Sequence, residues 1–335
     1  MNQKFILFFV AALSLVFLRI TITTAFNNTV NAESSEAERH IQSACEAAVN
    51  TMDKDNNIVL GCDDDRMRIR KAFWRAYCKS NGYAVSEIGK VSQNTDEIPS
   101  DAFGLEIDDK AKYEIPCVIY TDRDGYYVEY TRFVKNDSNG QSEYKNIYTG
   151  KQSYSKDYGS STIYHVEYTL GNTVTVTKSG SSPKKVSGEY SFCYDELGQP
   201  SELKFMESGR SFMDEHDECI QSIISGVLNY CINEHNEKDR IGKKYVFAMP
   251  NSSSSFGRMM RNPSVISFTQ GKQSGKHNIY GFAGASIEKN RIYYTYQYND
   301  HGTVAKCYTD DGSVEKIQVG TMRELAKDGA LPDLH

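Results

Sequence analysis

Proline is scarce in this chain of 335 residues, at seven, and tryptophan occurs once. So few prolines exclude polyproline linkers and collagen-like repeats. Positive charge is also short: 38 Lys and Arg stand against 44 Asp and Glu, a net charge of −6. An acidic chain has no overall attraction to nucleic acid or to anionic lipid, so no nucleic-acid partner is expected. The familiar catalytic spacings are absent too. There is no G-x-S-x-G, H-E-x-x-H, P-loop or G-x-G-x-x-G, so the usual hydrolase, zincin and nucleotide sites have no footing. The reading is of a non-enzymatic protein without a cofactor. What the chain does hold is apolar and aromatic material: 39% hydrophobic residues, with 23 Tyr and 15 Phe. That is enough for a sizeable core and excludes wholesale disorder.

The amino end carries the clearest signal. Phe5 to Leu18 (FILFFVAALSLVFL) is an unbroken apolar run behind Lys4; Arg19 interrupts it, and a mildly apolar stretch continues to Phe26. Read as a secretory signal, it has a basic start, an apolar centre and a small-residue site at Val30-Asn31-Ala32. Read as an anchor, residues 5–26 approach the roughly 20 needed to cross a bilayer, and Arg19 can snorkel towards the headgroups. Beyond it, Val30, Ala37, Ile41, Ala44, Cys45, Ala48 and Met52 recur at helical steps between charged residues. The expected organisation is therefore a membrane anchor (or signal peptide) at 1–26, a helical stalk at 27–52 and an extracytoplasmic head at 53–335, with a candidate β-hairpin insertion at 140–204. The protein is expected at the cell membrane, single-pass with its C-terminal domain outside, or secreted if the segment is cleaved.

Eight cysteines in an exported chain invite a disulfide reading, with Cys45, Cys62 and Cys78 the first candidates. His216-x2-Cys219 and Cys231-x3-His235 carry zinc-like residue types. However, residues 212–236 read as one helix, which separates Cys219 from Cys231 by about 18 Å at 1.5 Å per residue. Asp53, Asp55 and Asn57 imitate an EF-hand loop, but Ile58 replaces its Gly and Asp64 its Glu. No metal site is expected.

Period and turn chemistry predict a second helix over Asp64–Asn81, its apolar face made of Met67, Ile69, Ala72, Phe73, Ala76 and Tyr77. Residues 84–112 read as loop. A hairpin follows, Tyr113–Thr121 and Tyr126–Val134 around Asp122-Arg123-Asp124-Gly125, with 135–142 a flexible connection. Strands are expected at 162–170, 173–178, 186–194, 245–249, 265–269, 281–288 and 291–298, a long helix at Phe212–Asn236, and a short one at 322–327. The long helix carries Ile220, Ile223, Ile224, Val227, Leu228, Cys231 and Ile232 as one stripe, for which the strands at 281–298 offer a partner. Helices and antiparallel hairpins without a βαβ rhythm make an α+β head, its hairpins packed on that long helix.

Tyr294, Tyr296 and Tyr298 alternate along one expected strand, and Tyr126 and Tyr127 lie on the early hairpin. Tyr pairs a large apolar body with a polar tip, so these five form the candidate binding surface for a protein or a sugar.

An apolar amino-terminal helix running into a helical stalk and an α+β head resembles the layout of pilin-like subunits, notably pseudopilins of Tad-type pilus loci. YEIPCVIYTDRDGYYVEY (113–130), PSVISFTQGK (263–272), NIYGFAGASIEKNRIYYTY (278–296) and AKDGALPD (326–333) further resemble a family of membrane-anchored proteins of clostridia-type Gram-positive bacteria. No activity travels with that resemblance. Unlike a processed prepilin, this chain has no Gly just before the apolar run and no acidic residue before Glu33. The resemblance thus implies a permanently anchored accessory component of a pilus-like or secretion apparatus, with protein partners in the cell envelope. The alternative is an anchored binding module for cell-wall glycan or another extracellular ligand.

Overall fold

The computed structural model describes residues 32–52, 63–87, 98–99, 105–135, 142–236, 261–274, 277–287, 292–296, 303–309, 320–321 and 331–332. Helix α1 covers residues 32–49 and α2 covers Asp63–Asn81. Strands β1 (Val85–Glu87), β2 (Ile98–Pro99) and β3 (Leu105–Ile107), helix α3 (Asp109–Glu114), and strands β4 (Cys117–Asp122), β5 (Gly125–Lys135) and β6 (Ser142–Tyr148) follow. A meander comes next, β7 (Tyr154–Tyr158), β8 (Tyr164–Tyr168), β9 (Thr173–Lys178) and β10 (Lys184–Glu189), then α4 (Tyr190–Glu196) and a 3₁₀ segment at Ser201–Glu207. Helix α5 (Gly209–His235) precedes β11 (Ser264–Ser274), β12 (His277–Ser286), β13 (Ile292–Tyr296), β14 (Thr303–Thr309), β15 (Gly320–Thr321) and β16 (Leu331–Pro332).

The centre is a six-stranded antiparallel sheet in the order β12-β11-β4-β5-β6-β2. Every residue of β4 is buried, which requires cover on both faces. Alternation sorts the side chains. Val118, Tyr120 and Tyr127 face a core shared with α1, α2 and α3. Cys117, Ile119, Tyr126, Val128 and Tyr130 face a second core, shared with α5 and the separate sheet β10-β9-β8-β7. The chain is therefore α+β and three layers deep around this sheet.

The expected stalk is helical but does not stand free. Ile41, Ala44, Cys45 and Ala48 are fully buried against the sheet. Small residues on β12 admit this close approach. A Cβ on Gly281 would lie 3.2 Å from the backbone nitrogen of Glu38, Ala283 and Ala285 lie under the helix, and the Cys45 thiol donates to the Ala283 carbonyl at 3.8 Å.

Several local expectations are corrected. Tyr113 and Glu114 end helix α3 instead of starting a strand, because the Asp108 carboxylate caps its first turn (2.8 Å to the Lys110 N–H) and Pro116 bars α conformation at Ile115. Tyr190–Tyr194 is helical, not extended, because Glu189 accepts from the Ser191 and Phe192 N–H groups at 2.9 and 3.1 Å. In α2, Trp74 and Arg70 lie in the core, while Met67, Ala72 and Ala76 are half-buried. Parts of the segment read as loop, 84–112, form β1 paired with β3, and the expected insertion contains β6, which belongs to the central sheet.

The long helix forms as its stripe predicts, with Ser208 as N-cap and Asn236 as C-cap. Its partner differs from expectation: α5 lies on β4, β5 and β7, and among the described side chains of 281–298 only Phe282 packs against that core. Ile220, Ile224 and Leu228 are 0% exposed, whereas Ile223 and Val227 are half-buried at the margin. Ile224→Ala and Leu228→Ala should each lower stability by about 2–5 kcal/mol through lost burial and cavity. Glu218→Ala, on the exposed side, should cost under about 1 kcal/mol. Denaturant melts of the three variants check this.

The apolar run 5–26, the acidic loop 53–62, the strand at 245–249 and the helix at 322–327 lie outside the described residues. Among the described residues no helix is long and apolar enough to cross a membrane.

Candidate functional site

The five tyrosines of the expected binding surface separate. Tyr126 and Tyr127 are core residues, 8% and 4% exposed, and being adjacent on β5 they enter opposite cores. Tyr126 stacks on Tyr154 with ring centroids 5.4 Å apart, and Tyr127 on Tyr148 at 6.0 Å. Burial removes both from an open surface. Tyr294 and Tyr296 lie on β13, paired with Cys307 and Val304 of β14 across a register shift. Tyr298 lies outside the described residues.

Two other aromatic groups form instead, one where the C-terminal turns of α5 meet β5 and one where α3, β5, β6 and the end of α5 meet. Tyr230 is 55% exposed and meets Tyr130 edge-on, centroids 6.0 Å apart. Tyr113, 38% exposed, leans on Tyr144 at 5.5 Å and on His235 at 5.9 Å. His235 stacks on Tyr144 at 4.8 Å, and Phe133 closes the cluster at 5.4 Å from Tyr144. The His235 ring is fixed from beneath. The Thr131 hydroxyl donates to the Ile115 carbonyl at 2.9 Å and turns a lone pair to Nδ1 of His235 at 2.6 Å. Arg132 and Glu234 pair at 3.5 Å on the same edge. Tyr113 and Tyr230 are the two large hydrophobic side chains left exposed among the described residues. Tyr230 was hidden in the sequence, since its place at the edge of the α5 stripe shows only once the stripe has a partner. Tyr113 was legible as an aromatic but was assigned to a strand.

The charged groups elsewhere are occupied by structure. The Glu129 carboxylate, 1% exposed, accepts from Arg70 Nη2 (2.7 Å), Trp74 Nε1 (3.0 Å), Asn146 Nδ2 (3.1 Å) and the Tyr120 hydroxyl (3.1 Å). Glu114 accepts from the Tyr77 and Tyr83 hydroxyls at 2.8 and 2.6 Å. Lys156 and Tyr158 both donate to Glu215, at 2.6 and 2.8 Å. The zinc-like residues are held apart: His216 contacts Asp217 and the Thr169 carbonyl at 2.9 and 2.7 Å, while His235 belongs to the aromatic cluster. Among the described residues no group of three potential ligands is placed to hold a metal.

Cys45 and Cys78, the first disulfide candidates with Cys62, are free thiols in the structure. Both sit in the α1/α2 core, and burial pushes each thiol upward, Cys78 to about 12. Cys62 lies outside the described residues. Comparison with protein-family models, with curated proteins and with solved structures finds no match.

Two measurements follow from the charged groups. Arg70→Ala leaves Glu129 buried with its cation removed and should destabilise by about 3–5 kcal/mol, whereas a double replacement of Arg70 and Glu129 by apolar residues should recover most of that loss. Asp217 gives a pH signature. Burial alone would raise its carboxyl, but hydrogen bonds from His216 and from Arg261 (Nε at 3.0 Å), with the Arg261 charge, hold it below the ordinary aspartate value. A depressed folded pKa stabilises fully above the unfolded value of about 3.9 and is lost as pH falls through the folded value. Asp217→Asn should therefore flatten stability against pH below about pH 4, read from melting midpoints across that range.

Proposed function

We propose that this chain is a non-enzymatic membrane-anchored protein whose α+β head stands outside the membrane as a structural or accessory part of a pilus-like or secretion assembly. The observation that supports the reading best is the placement of α1. The apolar run ends at Phe26 and α1 begins at residue 32. Its face is fully buried at Ile41, Ala44, Cys45 and Ala48 in the core of the head. A segment inserted in the bilayer or packed against partner helices would thus be tied, through a very short link, to the central sheet. That suits a part of an envelope assembly, as the pilin-like layout implies.

Membrane fractionation tests the reading. The full chain should stay in the membrane pellet after carbonate washing and retain its amino-terminal peptide by mass spectrometry. Recovery from the medium of a chain beginning at Glu33 would overturn it.

The exposed Tyr113 and Tyr230 favour a second reading, a binding module for cell-wall glycan. Sugar rings stack on Tyr faces, and the neighbouring Arg132–Glu234 pair offers partners for hydroxyls. In a pull-down on purified wall material, Tyr113→Ala with Tyr230→Ala should cut retention several-fold. Tyr294→Ala with Tyr296→Ala provides the comparison. Equal retention by all variants would leave the aromatic surface without a role in glycan binding.

A further inference from the structure

Cys117 opens β4 and Cys231 lies in the last turns of α5, far apart in the chain. Both are 1% exposed and share one core. Topology brings them together. Cys117 pairs in register with Tyr130 across the β4–β5 ladder, so both side chains project towards α5. The Tyr130 ring meets that of Tyr230, 6.0 Å away, and Cys231 is the next residue on the helix. The Cys117 side chain, together with burial, holds the Cys231 thiol well above its ordinary range, and both are free thiols in the structure. Two other buried cysteines give their S–H to backbone oxygens: Cys45 donates to the Ala283 carbonyl and Cys193 to the Val174 carbonyl, each at 3.8 Å.

We propose that Cys117 and Cys231 form a disulfide that staples α5 to β4 as the chain folds in an oxidising compartment. The timing rests on the extracytoplasmic reading above; the pairing rests on the shared core and on the places of the two cysteines beside Tyr130 and Tyr230. The oxidant is a donor disulfide, small-molecule or protein. One cysteine thiolate attacks it, forming a mixed disulfide and expelling a thiolate; the second cysteine thiolate then attacks the mixed disulfide and expels the other donor sulfur. In sum two protons and two electrons pass from the cysteines to the donor, which leaves as two thiols. Because both cysteines are sealed in the finished core, exchange takes place before α5 docks.

Peptide mapping of the full chain decides the matter. The chain is unfolded, reduced, refolded in a mixture of reduced and oxidised glutathione, then denatured and alkylated. A linked peptide containing Cys117 and Cys231 is expected, with Cys45 and Cys78 alkylated. The linked form should melt at higher denaturant than the same protein treated with reductant. Cys117→Ser and Cys231→Ser should each abolish the linked peptide. If either variant fails to fold, the wild-type map still decides. Recovery of residues 117 and 231 as separately alkylated peptides from the refolded wild type, or linkage of either to another cysteine, overturns the pairing. The same map on protein taken directly from cells separates the two readings. Linkage after refolding but free thiols in cells refutes the extracytoplasmic placement and leaves the thiol pair standing.

Discussion

The arrangement turns on one buried ion pair. Glu129 sits in the middle strand of a sheet covered on both sides, where an unpaired carboxylate would be strongly disfavoured. Arg70 answers its charge, and Trp74, Asn146 and Tyr120 occupy its remaining acceptor positions. Two of the four donors, Arg70 and Trp74, come from one turn of α2. Only one height and rotation of that helix lets both reach the carboxylate, so the pair sets the helix's register on the sheet. Apolar contacts alone would tolerate sliding by a turn. Specificity of placement, more than net stability, is what such a pair supplies. Phe73 and Tyr77, carried on the same helix, stack in parallel planes at 6.4 Å, and Tyr77 continues the polar chain to Glu114.

Much of this was legible from residue order. The α5 stripe declared a helix because seven apolar residues recur at helical spacing, and the D-x-D-G turn declared the β4–β5 hairpin, where Gly125 leaves room for the Gln152 carbonyl that a Cβ would meet. What sequence did not show is which face meets what. Arg70 reads as a solvated charge on α2 until Glu129 is found opposite it. Tyr126 and Tyr127 look like a surface pair, but a sheet with cover on both faces sends adjacent residues into two different cores. The helical turns at Glu114 and Tyr190 escaped because their determinants, the Asp108 and Glu189 caps, act through hydrogen bonds that override the strand preference of the aromatics they precede. The misses at Arg70, Tyr126 and Tyr127 are tertiary, whereas those at Glu114 and Tyr190 come from short-range caps.

The candidate surface follows from the same constraint. With the sheet faces filled by α1 and α2 on one side and α5 on the other, apolar residues left over emerge where layers end. Helix α5 reaches the end of β5 with Tyr230 on its margin, and α3 stops at Pro116 with Tyr113 outward. Scattered exposed aromatics are ordinary on a protein surface. These two differ because both lean on ordered rings, Tyr130 and the Tyr144–His235 stack, which are themselves held by the sheet and by Thr131. Rigid backing lowers the conformational entropy lost when such a ring takes a partner. A surface of this kind is prepared for contact before any contact is made.

Helix α1 and the exposed rings are then joined through the sheet. Helix α1 meets it at β12, over Gly281, Ala283 and Ala285, while the aromatic cluster meets it at β5 and β6. Between them lie β11 and β4, each paired antiparallel to the next, with a register shift between Thr269 and Lys272 on the β11–β12 ladder. Close-packed interiors transmit displacement instead of absorbing it. A fold built this way holds its exposed rings at a fixed place relative to α1.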